Sequence, residues 1–254
     1  MADPAALLVC AATARELAAA APALVPEPER LAELRPVPAR LKDRPALLCV
    51  TGVGPVNAAL AMGFCFGLTS RGDGAGPETG SAGLRIGAVL NVGLAGAFDL
   101  RETPLRALCA VREEIWPEYG LNDGVTVTAR AFSFPLWSRN DGAPGDVHDR
   151  LPLAETAQVA RRGAAPEAFL PRRSLTVAGV SASFARARDL ANRYRAELEN
   201  MEGFAVAYAC ARAGVPCVEI RAVSNKVGPR APEEKDFPGA LAALGGVLPA
   251  LGLA

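Results

Sequence analysis

The apolar positions of this chain fall into short continuous runs rather than into an alternating pattern. Six of these runs have the length of β-strands: residues 7–13, 46–54, 88–96, 107–111, 174–183 and 215–225. Continuous apolar runs are typical of strands that are covered on both faces. The pattern therefore predicts a central sheet buried between two layers of other elements.

Stretches with helical character lie between and after those runs, at residues 14–25, 56–70, 185–195, 201–213 and 238–251. An alternation of strands and helices favours a mixed, mostly parallel sheet with helices on both sides. We therefore predict a single α/β domain of three layers over residues 1–254. Two segments rich in Gly, Asp and Pro, 70–83 and 139–149, are predicted to be mobile loops and not domain boundaries.

The charge balance narrows the choice of partner. The 254 residues include 27 Lys and Arg and 27 Asp and Glu, so the formal net charge is zero. A protein that binds nucleic acid or an acidic membrane usually has an excess of basic residues. We therefore expect neither kind of partner and favour a small-molecule ligand. No apolar run reaches the roughly 20 residues of a membrane span, and the N-terminus does not resemble a signal peptide, so we expect a cytoplasmic protein.

Cysteine and histidine usage argues against a metal centre. The six cysteines lie in apolar segments without any CxxC pair, and the chain has one histidine, His148. Scattered cysteines in such segments indicate reduced, buried thiols rather than disulfides or metal ligands. We therefore expect no metal site.

Glycine-containing turns follow three of the predicted strands, beginning at Gly52, Gly93 and Gly179. Glycine permits a tight turn and lets the backbone approach a ligand, and α/β folds place their sites at the carboxyl ends of strands. The turn GVGPVN from Gly52 matches neither GxGxxG nor the Walker pattern, which disfavours dinucleotide binding and P-loop phosphate transfer. Each glycine turn by itself is also compatible with a plain structural turn.

The strongest chemical signal lies in residues 199–230. Glu202 begins a helix whose remainder is almost wholly apolar, and a carboxylate there is costly to bury unless it is paired. The helix N-terminus alone also favours an acidic residue, by about 0.3–1 kcal/mol. Arg221 lies among apolar neighbours in the following strand and needs a partner or a ligand as well. A buried structural pair of these two residues is the alternative to a ligand site.

The run NMEGFAVAYACARAGVPCVEIRAVSN, residues 200–225, resembles the MEG helix and R-x-[IV]-S-[DN] strand end of the nucleoside phosphorylase and nucleosidase superfamily. Within it the run is most similar to the branch of 5'-methylthioadenosine/S-adenosylhomocysteine nucleosidases. The ending SNKVGPR, residues 224–230, resembles the futalosine hydrolase family of that branch. Residues 13–16, 51–59 and 91–98 match in the same order, whereas residues 130–171 and the two loops do not.

The resemblance implies cleavage of a purine N-ribosyl bond through an oxocarbenium-like transition state, without metal or cofactor. It implies that Glu202 accepts hydrogen bonds from the ribose hydroxyls and that Met201 lies against the sugar. It implies that Glu16 polarises the attacking water, with Arg221 holding that water or orienting Glu16. An ordinary glutamate in the first turn of a helix is the alternative for Glu16.

Asn225 distinguishes between branches, because methylthioadenosine nucleosidases carry Asp at the matching position. An amide offers two donors, which suit the ring nitrogen and the 6-oxo group of hypoxanthine together. The resemblance thus implies hydrolysis of futalosine to dehypoxanthine futalosine and hypoxanthine, a step of menaquinone biosynthesis. Ser224, Gly93 and Phe184 are further expected substrate contacts, with Phe184 or a neighbour covering the base.

Several alternatives remain at this point. The protein could be a methylthioadenosine nucleosidase, a purine nucleoside phosphorylase or a non-catalytic nucleoside-binding protein. A nucleotide-dependent oxidoreductase is a further alternative, supported only by the alternation of strands and helices and by the glycine turns. No basic cluster follows the first strand, where AATARE offers Arg15 alone, so water is favoured over phosphate as the nucleophile. We expect a purine nucleoside and water as small-molecule partners and a homo-oligomer, with a dimer favoured.

Overall fold

The computed structural model describes residues 5–25, 27–70, 84–131, 135–139, 145–229 and 231–254. The strands in these parts of the chain are β1 (Ala6–Ala11), β2 (Val37–Leu41), β3 (Arg44–Val50), β4 (Ile86–Ala97), β5 (Leu108–Ile115), β6 (Leu121–Asn122), β7 (Val127–Thr128), β8 (Arg150–Pro152), β9 (Leu170–Thr176), β10 (Leu198–Asn200) and β11 (Cys217–Lys226). Strands β6 and β7 form a small hairpin, and the other nine form one sheet. Five of the six strands predicted from the apolar runs are present, and the sixth, predicted over 174–183, is instead β9, which begins at Leu170 and ends at Thr176.

The helices are α1 (Ala14–Ala20), α2 (Pro55–Ser70), α3 (Phe184–Tyr194), α4 (Gly203–Ala213), α5 (Phe237–Leu244) and α6 (Val247–Ala250). The predicted helix over 238–251 is divided into α5 and α6, with Gly245 and Gly246 between them. Glycine is among the weakest helix formers, so a break there agrees with its propensity.

The large sheet is mixed, and its strand order is β10-β9-β5-β11-β4-β1-β3-β2, with β8 paired to β5. Its parallel pairs are β1–β3, β1–β4, β4–β11, β5–β9 and β9–β10. Its antiparallel pairs are β2–β3, β4–β10, β5–β8 and β5–β11. The predicted mixed, mostly parallel sheet is thereby confirmed.

The sheet also closes partly on itself, which the apolar runs did not indicate. Strand β10 pairs with both β9 and β4, so strands β4, β11, β5, β9 and β10 form a ring. Because β10 has three residues, it has no apolar run of its own by which it could be recognised. This closure brings the residues just before α4 next to the carboxyl end of β4.

Helices cover both faces of the open part of the sheet. Along β1, Leu7 and Val9 pack in a cluster with residues of α1, α5 and α6, whereas Leu8 and Cys10 pack with residues of α2 and α4. This division confirms the predicted three-layer α/β domain. All six cysteines are buried with free thiols.

Of the two predicted mobile loops, residues 71–83 and 140–144 lie outside the described residues. Within the described part of the chain, no helix combines the length and apolar character that crossing a bilayer requires.

Candidate active site

A cavity of about 580 Å³ opens beside the carboxyl ends of β1, β4 and β11. This is the edge at which α/β sheets place their ligands. Its lining combines acidic, amide and apolar side chains, among them Glu16, Glu199, Met201, Glu202, Asn225 and Phe237. Two carboxylates that are far apart in the sequence, Glu16 and Glu202, therefore meet at one hollow.

Glu16 is held in place by the start of α1. Thr13 caps this helix, and the carboxylate of Glu16 reaches back to accept hydrogen bonds from the Thr13 backbone N–H at 3.0 Å and hydroxyl at 2.7 Å. Its other oxygen, Oε1, accepts from the backbone N–H of Leu94 at 3.0 Å. This capping box fixes the carboxylate at the cavity wall between β1 and β4.

Glu202 lies at the N-terminus of α4, whose first turn is capped by other residues. The amide oxygen Oδ1 of Asn200 accepts from the backbone N–H groups of Glu202 at 2.8 Å and Gly203 at 2.7 Å. The Glu202 side chain therefore does not cap the helix, and its carboxylate can make other contacts. Its Oε1 accepts from the backbone N–H of Gly54 at 2.9 Å, and its Oε2 lies 3.6 Å from Nη1 of Arg221.

The charge on Glu202 is set by competing effects. Burial raises the pKa of Glu202 above its ordinary value, while the Arg221 guanidinium and the Gly54 N–H act to lower it. The raised pKa means that desolvation prevails over these two favourable contacts.

Arg221 lies behind the cavity and does not line it. The side chain is 1% exposed, and its Nε donates to Oε1 of Glu219 at 2.8 Å. Burial disfavours the guanidinium charge, but the attraction of Glu219 and Glu202 outweighs it and raises the pKa of Arg221. The Arg221–Glu202 pair considered as an alternative to a ligand site is therefore present. It forms the rear support of a carboxylate that faces the cavity.

Gly93 serves the site by its lack of a side chain. A Cβ at this position would lie 2.5 Å from Nη1 of Arg221 and 3.1 Å from Oε1 of Glu16. Gly93 does not line the cavity, so the structure does not support the direct contact with substrate that was expected of it. Its position leaves room for the two charged side chains to converge.

Asn225 reaches the cavity because β11 contains an irregularity. The register of β11 against β4 shifts between Val223 and Asn225, and Asn225 pairs with Gly96. The Oδ1 of Asn225 accepts from the Ser224 hydroxyl at 2.9 Å, and its Nδ2 donates to the carbonyl of Lys226 at 2.7 Å. These bonds orient the amide and leave one N–H on Nδ2 for another acceptor.

Met201 and Ser224 line the cavity as predicted, whereas Phe184 does not. Phe184 is the first residue of α3, is 64% exposed and has Nζ of Lys226 5.8 Å from its ring centroid. It borders a separate depression of about 310 Å³. The reason is local: Ser183 caps α3 and places Phe184 on the outer side of the turn. Apolar cover of the cavity comes instead from Val180 and Phe237.

Two further carboxyl groups that the sequence analysis missed lie behind the site. Glu114 is buried in β5 and accepts from the Thr176 hydroxyl and from Nδ2 of Asn200, both at 2.6 Å. Burial, followed by the neighbouring charge of Glu219, raises the pKa of Glu114 well above its ordinary value. Glu219 in turn accepts from Nδ2 of Asn91 at 3.0 Å. Charged residues inside the buried strands β5 and β11 are the signal by which both could have been found.

Glu199 is a further cavity residue that the sequence analysis did not predict, although it directly precedes the family-like run that begins at residue 200. It is 5% exposed, lies in β10 and lines the cavity.

Among the described residues, no cluster of three or more His, Cys, Asp or Glu side chains has an arrangement that could hold a metal ion.

A model of the phosphorylase superfamily matches residues 6–245, and the chain belongs to this superfamily. Among curated relatives, the futalosine hydrolase of Thermus thermophilus is 32% identical over 182 residues, which cover 71% of this chain and 69% of the relative. The futalosine hydrolase of Acidothermus cellulolyticus is 49% identical over 81 residues, which cover 32% of this chain and 33% of the relative. The chain thus spans about a third of the Acidothermus protein it matches.

Solved structures of two kinds of nucleosidase share the fold. A futalosine hydrolase of Helicobacter pylori is 15% identical with a TM-score of 0.69, covering 98% of this chain and 97% of the other. The 5'-methylthioadenosine/S-adenosylhomocysteine nucleosidase of Helicobacter pylori, solved with butyl-thio-DADMe-Immucillin-A, is also 15% identical with a TM-score of 0.69 and covers 98% of both chains. The sequence-based assignment to the nucleoside phosphorylase fold is confirmed.

Proposed function

We propose that this protein hydrolyses the N-ribosyl bond of a 6-oxopurine nucleoside, converting futalosine to dehypoxanthine futalosine and hypoxanthine. The observation that carries the proposal is the convergence of Glu16, Glu202 and Asn225 on one cavity of about 580 Å³. The similarity to futalosine hydrolases over much of the chain supports the choice of substrate.

Glu16 is the proposed general base. Two donors from Thr13 and one from Leu94 hold its carboxylate, so its position is fixed before substrate arrives. Each carboxylate oxygen has two lone pairs, so capacity remains to accept a hydrogen bond from water. In the proposed step, the water oxygen bonds to C1' of the ribose and its proton passes to Glu16.

Glu202 is the proposed partner of the ribose diol. Its oxygens are only partly used by Gly54 and Arg221, and a carboxylate is a pure acceptor that suits two hydroxyl donors. Its negative charge also stabilises the positive charge that develops on the sugar as the C1'–N9 bond breaks. Met201 supplies an apolar surface against the same sugar.

Asn225 is the proposed partner of the departing base. As the C1'–N9 bond breaks, its electron pair leaves with hypoxanthine, which acquires a proton from solvent. The remaining N–H of the Asn225 amide donates to the imidazole part or the 6-oxo group of the base while negative charge builds up there. An amide cannot transfer a proton as a protonated aspartate does, and a 6-oxopurine, being the better leaving group, requires less assistance than adenine.

Water is the nucleophile in this proposal. Of the described residues that line the cavity, Arg15 is the cationic one, while three lining side chains are carboxylic: Glu16, Glu199 and Glu202. Such a lining repels a phosphate dianion. This supports a hydrolase over a phosphorylase.

The test is to incubate the protein with futalosine, inosine and methylthioadenosine, each with and without phosphate, and to follow release of the base. Hypoxanthine released from futalosine in phosphate-free buffer is the expected result. Adenine released faster from methylthioadenosine would assign the protein to the sister class of nucleosidases, and a strict need for phosphate would make it a phosphorylase. Tight binding of futalosine without any release over hours would indicate a binding protein.

The remaining parts of the proposal come from the sequence alone. They are a place in menaquinone biosynthesis, a cytoplasmic location and assembly as a homo-oligomer with a dimer favoured. Gel filtration with light scattering tests the last of these directly.

A further inference from the structure

The carboxylate of Glu199 lies at the cavity without any role in the hydrolytic steps above. Its neighbour Leu198 packs into the apolar cluster inside the strand ring with Ala95 and Val223. Since side chains alternate along a strand, Glu199 points to the opposite face, which is the cavity side. The residue is 5% exposed and is counted among those that line the cavity.

Glu199 and Asn225 occupy equivalent positions on the two sides of β4. Glu199 pairs with Gly96 in the antiparallel pairing of β10, and Asn225 pairs with the same Gly96 in the parallel pairing of β11. A Cβ at Gly96 would lie 3.0 Å from Nδ2 of Asn225, so the amide lies over the glycine. Two strand spacings, roughly 10 Å, separate the flanking chains. A flat ring system can therefore lie between an amide on one side and a carboxylate on the other.

The Glu199 carboxylate is fixed and retains acceptor capacity. Its Oε1 accepts from the backbone N–H of Ser181 at 3.0 Å, and its Oε2 accepts from the hydroxyl of Ser181 at 2.6 Å. These bonds use one lone pair on each oxygen. A group that donates toward the cavity side of the carboxylate can be accepted without any rearrangement.

We propose that Glu199 is a specificity-determining residue that accepts the N1–H of a 6-oxopurine, while Asn225 contacts the imidazole side of the same base. A 6-oxopurine has a donor at N1, whereas a 6-aminopurine has an acceptor there. A buried carboxylate facing that atom favours the first and repels the lone pair of the second. This inference rests on the proposed function for the orientation of the base, and it adds the residue that chooses between base classes.

The first experiment measures binding of free bases to the whole protein by calorimetry, which does not depend on turnover. The probes are hypoxanthine, adenine and 1-methylhypoxanthine, which keeps the 6-oxo group but has no N1–H. Wild-type protein is expected to bind hypoxanthine about 10- to 100-fold more tightly than either of the other two, because one charge-assisted hydrogen bond is at stake. In Glu199→Ala that preference is expected to fall to within about threefold.

The matched control is Ser181→Ala, which removes one of the two bonds that fix Glu199 and leaves its charge in place. If Glu199 only anchors the segment around Ser181, both variants should weaken the binding of all three bases equally. The preference for hypoxanthine would then remain, and the proposal would be overturned. A preference lost in Glu199→Ala and kept in Ser181→Ala supports it.

A second variant covers the case in which Glu199→Ala folds poorly. Glu199→Gln keeps the shape and can donate to N1 of adenine, so the ratio of kcat/KM for futalosine over its 6-amino counterpart is expected to fall at least tenfold. An unchanged ratio contradicts the role of Glu199. If futalosine is not cleaved at all, the proposed function fails, whereas the base-binding comparison still decides the inference.

Discussion

The molecule contains two pairs of buried glutamates that lie close together and behave differently. The front pair, Glu16 and Glu202, lines the cavity, and each of its members accepts a backbone N–H from a neighbouring segment. The rear pair, Glu114 and Glu219, is sealed behind the first turn of α4, and its two members face each other. Burial alone therefore does not decide what a carboxyl group does in this protein.

The difference lies in the donors that each pair is given. Glu202 has a backbone N–H and a guanidinium on two sides, which oppose the cost of desolvating its charge. Burial raises the pKa of Glu114 well above its ordinary value, the charge of Glu219 beside it adds to this, and its uncharged donors do not offset the two effects. The front pair faces the cavity, whereas Glu114 lies behind the start of α4, where burial acts against its charged form.

Arg221 joins the two pairs. Its Nε donates to Glu219 at 2.8 Å, and its Nη1 faces Glu202 at 3.6 Å. One buried positive charge is thus shared between a rear carboxylate and a front one. Substitutions in either pair test whether this division into chemical and supporting roles is correct.

The largest expected effect is that of Glu16→Gln. Loss of a general base should lower kcat for base release by about 10²- to 10⁴-fold with a smaller change in KM. Hypoxanthine release measured by absorbance checks this, with Glu29→Gln, an exposed glutamate outside the cavity, as the matched control. If both variants keep the wild-type kcat, Glu16 is not the base.

Next in size is Glu202→Gln, which should reduce kcat/KM by about 100-fold, since hydrogen bonds to a charged acceptor contribute about 1.5–3 kcal/mol. Glu202 must be ionised to accept from the ribose. Because burial raises its pKa, the activity of the wild type should fall as the pH is lowered through a value above the ordinary 4.5. Rate profiles over pH 4–9 should lack this acid limb in the variant. An identical limb in both proteins would assign it to another group.

A smaller effect is expected from Glu219→Gln, about tenfold in kcat/KM. This change removes one of the two carboxylate partners of Arg221 and leaves the cavity lining intact, so Arg221 should shift relative to Glu202, its other partner. Glu114→Gln changes a carboxyl group that does not line the cavity and whose pKa burial raises well above its ordinary value, so kcat/KM should change by less than threefold. Steady-state kinetics at pH 7 on the two variants make the comparison. Equal losses would contradict the distinct roles of the two rear carboxyls.

The smallest effect concerns stability and its pH dependence. Because the pKa of Glu114 is raised in the folded protein, its contribution to the free energy of unfolding is greatest below about pH 4.5. That contribution should decrease as the pH rises, by at most about 1.4 kcal/mol per pH unit. Urea unfolding of wild type and Glu114→Gln at pH 5, 6, 7 and 8 checks this. A difference between them that does not vary with pH would show that Glu114 is ionised.

Much of the fold and part of the candidate site were predictable from local signals. Five of the six continuous apolar runs are strands, because consecutive residues of a strand covered on both faces are apolar. The run 174–183 is a strand over residues 174–176 only. Glu16, Met201, Glu202 and Asn225 were singled out by sequence, and the structure brings all four to one cavity. The rear carboxyls were not singled out: a glutamate inside an apolar strand signals a buried charge, but it does not indicate which neighbour faces it.

The sequence by itself thus determined the order and layering of strands and helices, since periodicity and capping act between residues that are close along the chain. The tertiary structure alone decided that β10 closes a ring with β4 and that Glu199 and Asn225 flank the same glycine. These features depend on contacts between distant segments. Their energies come from pairing and burial that exist only once the sheet has formed.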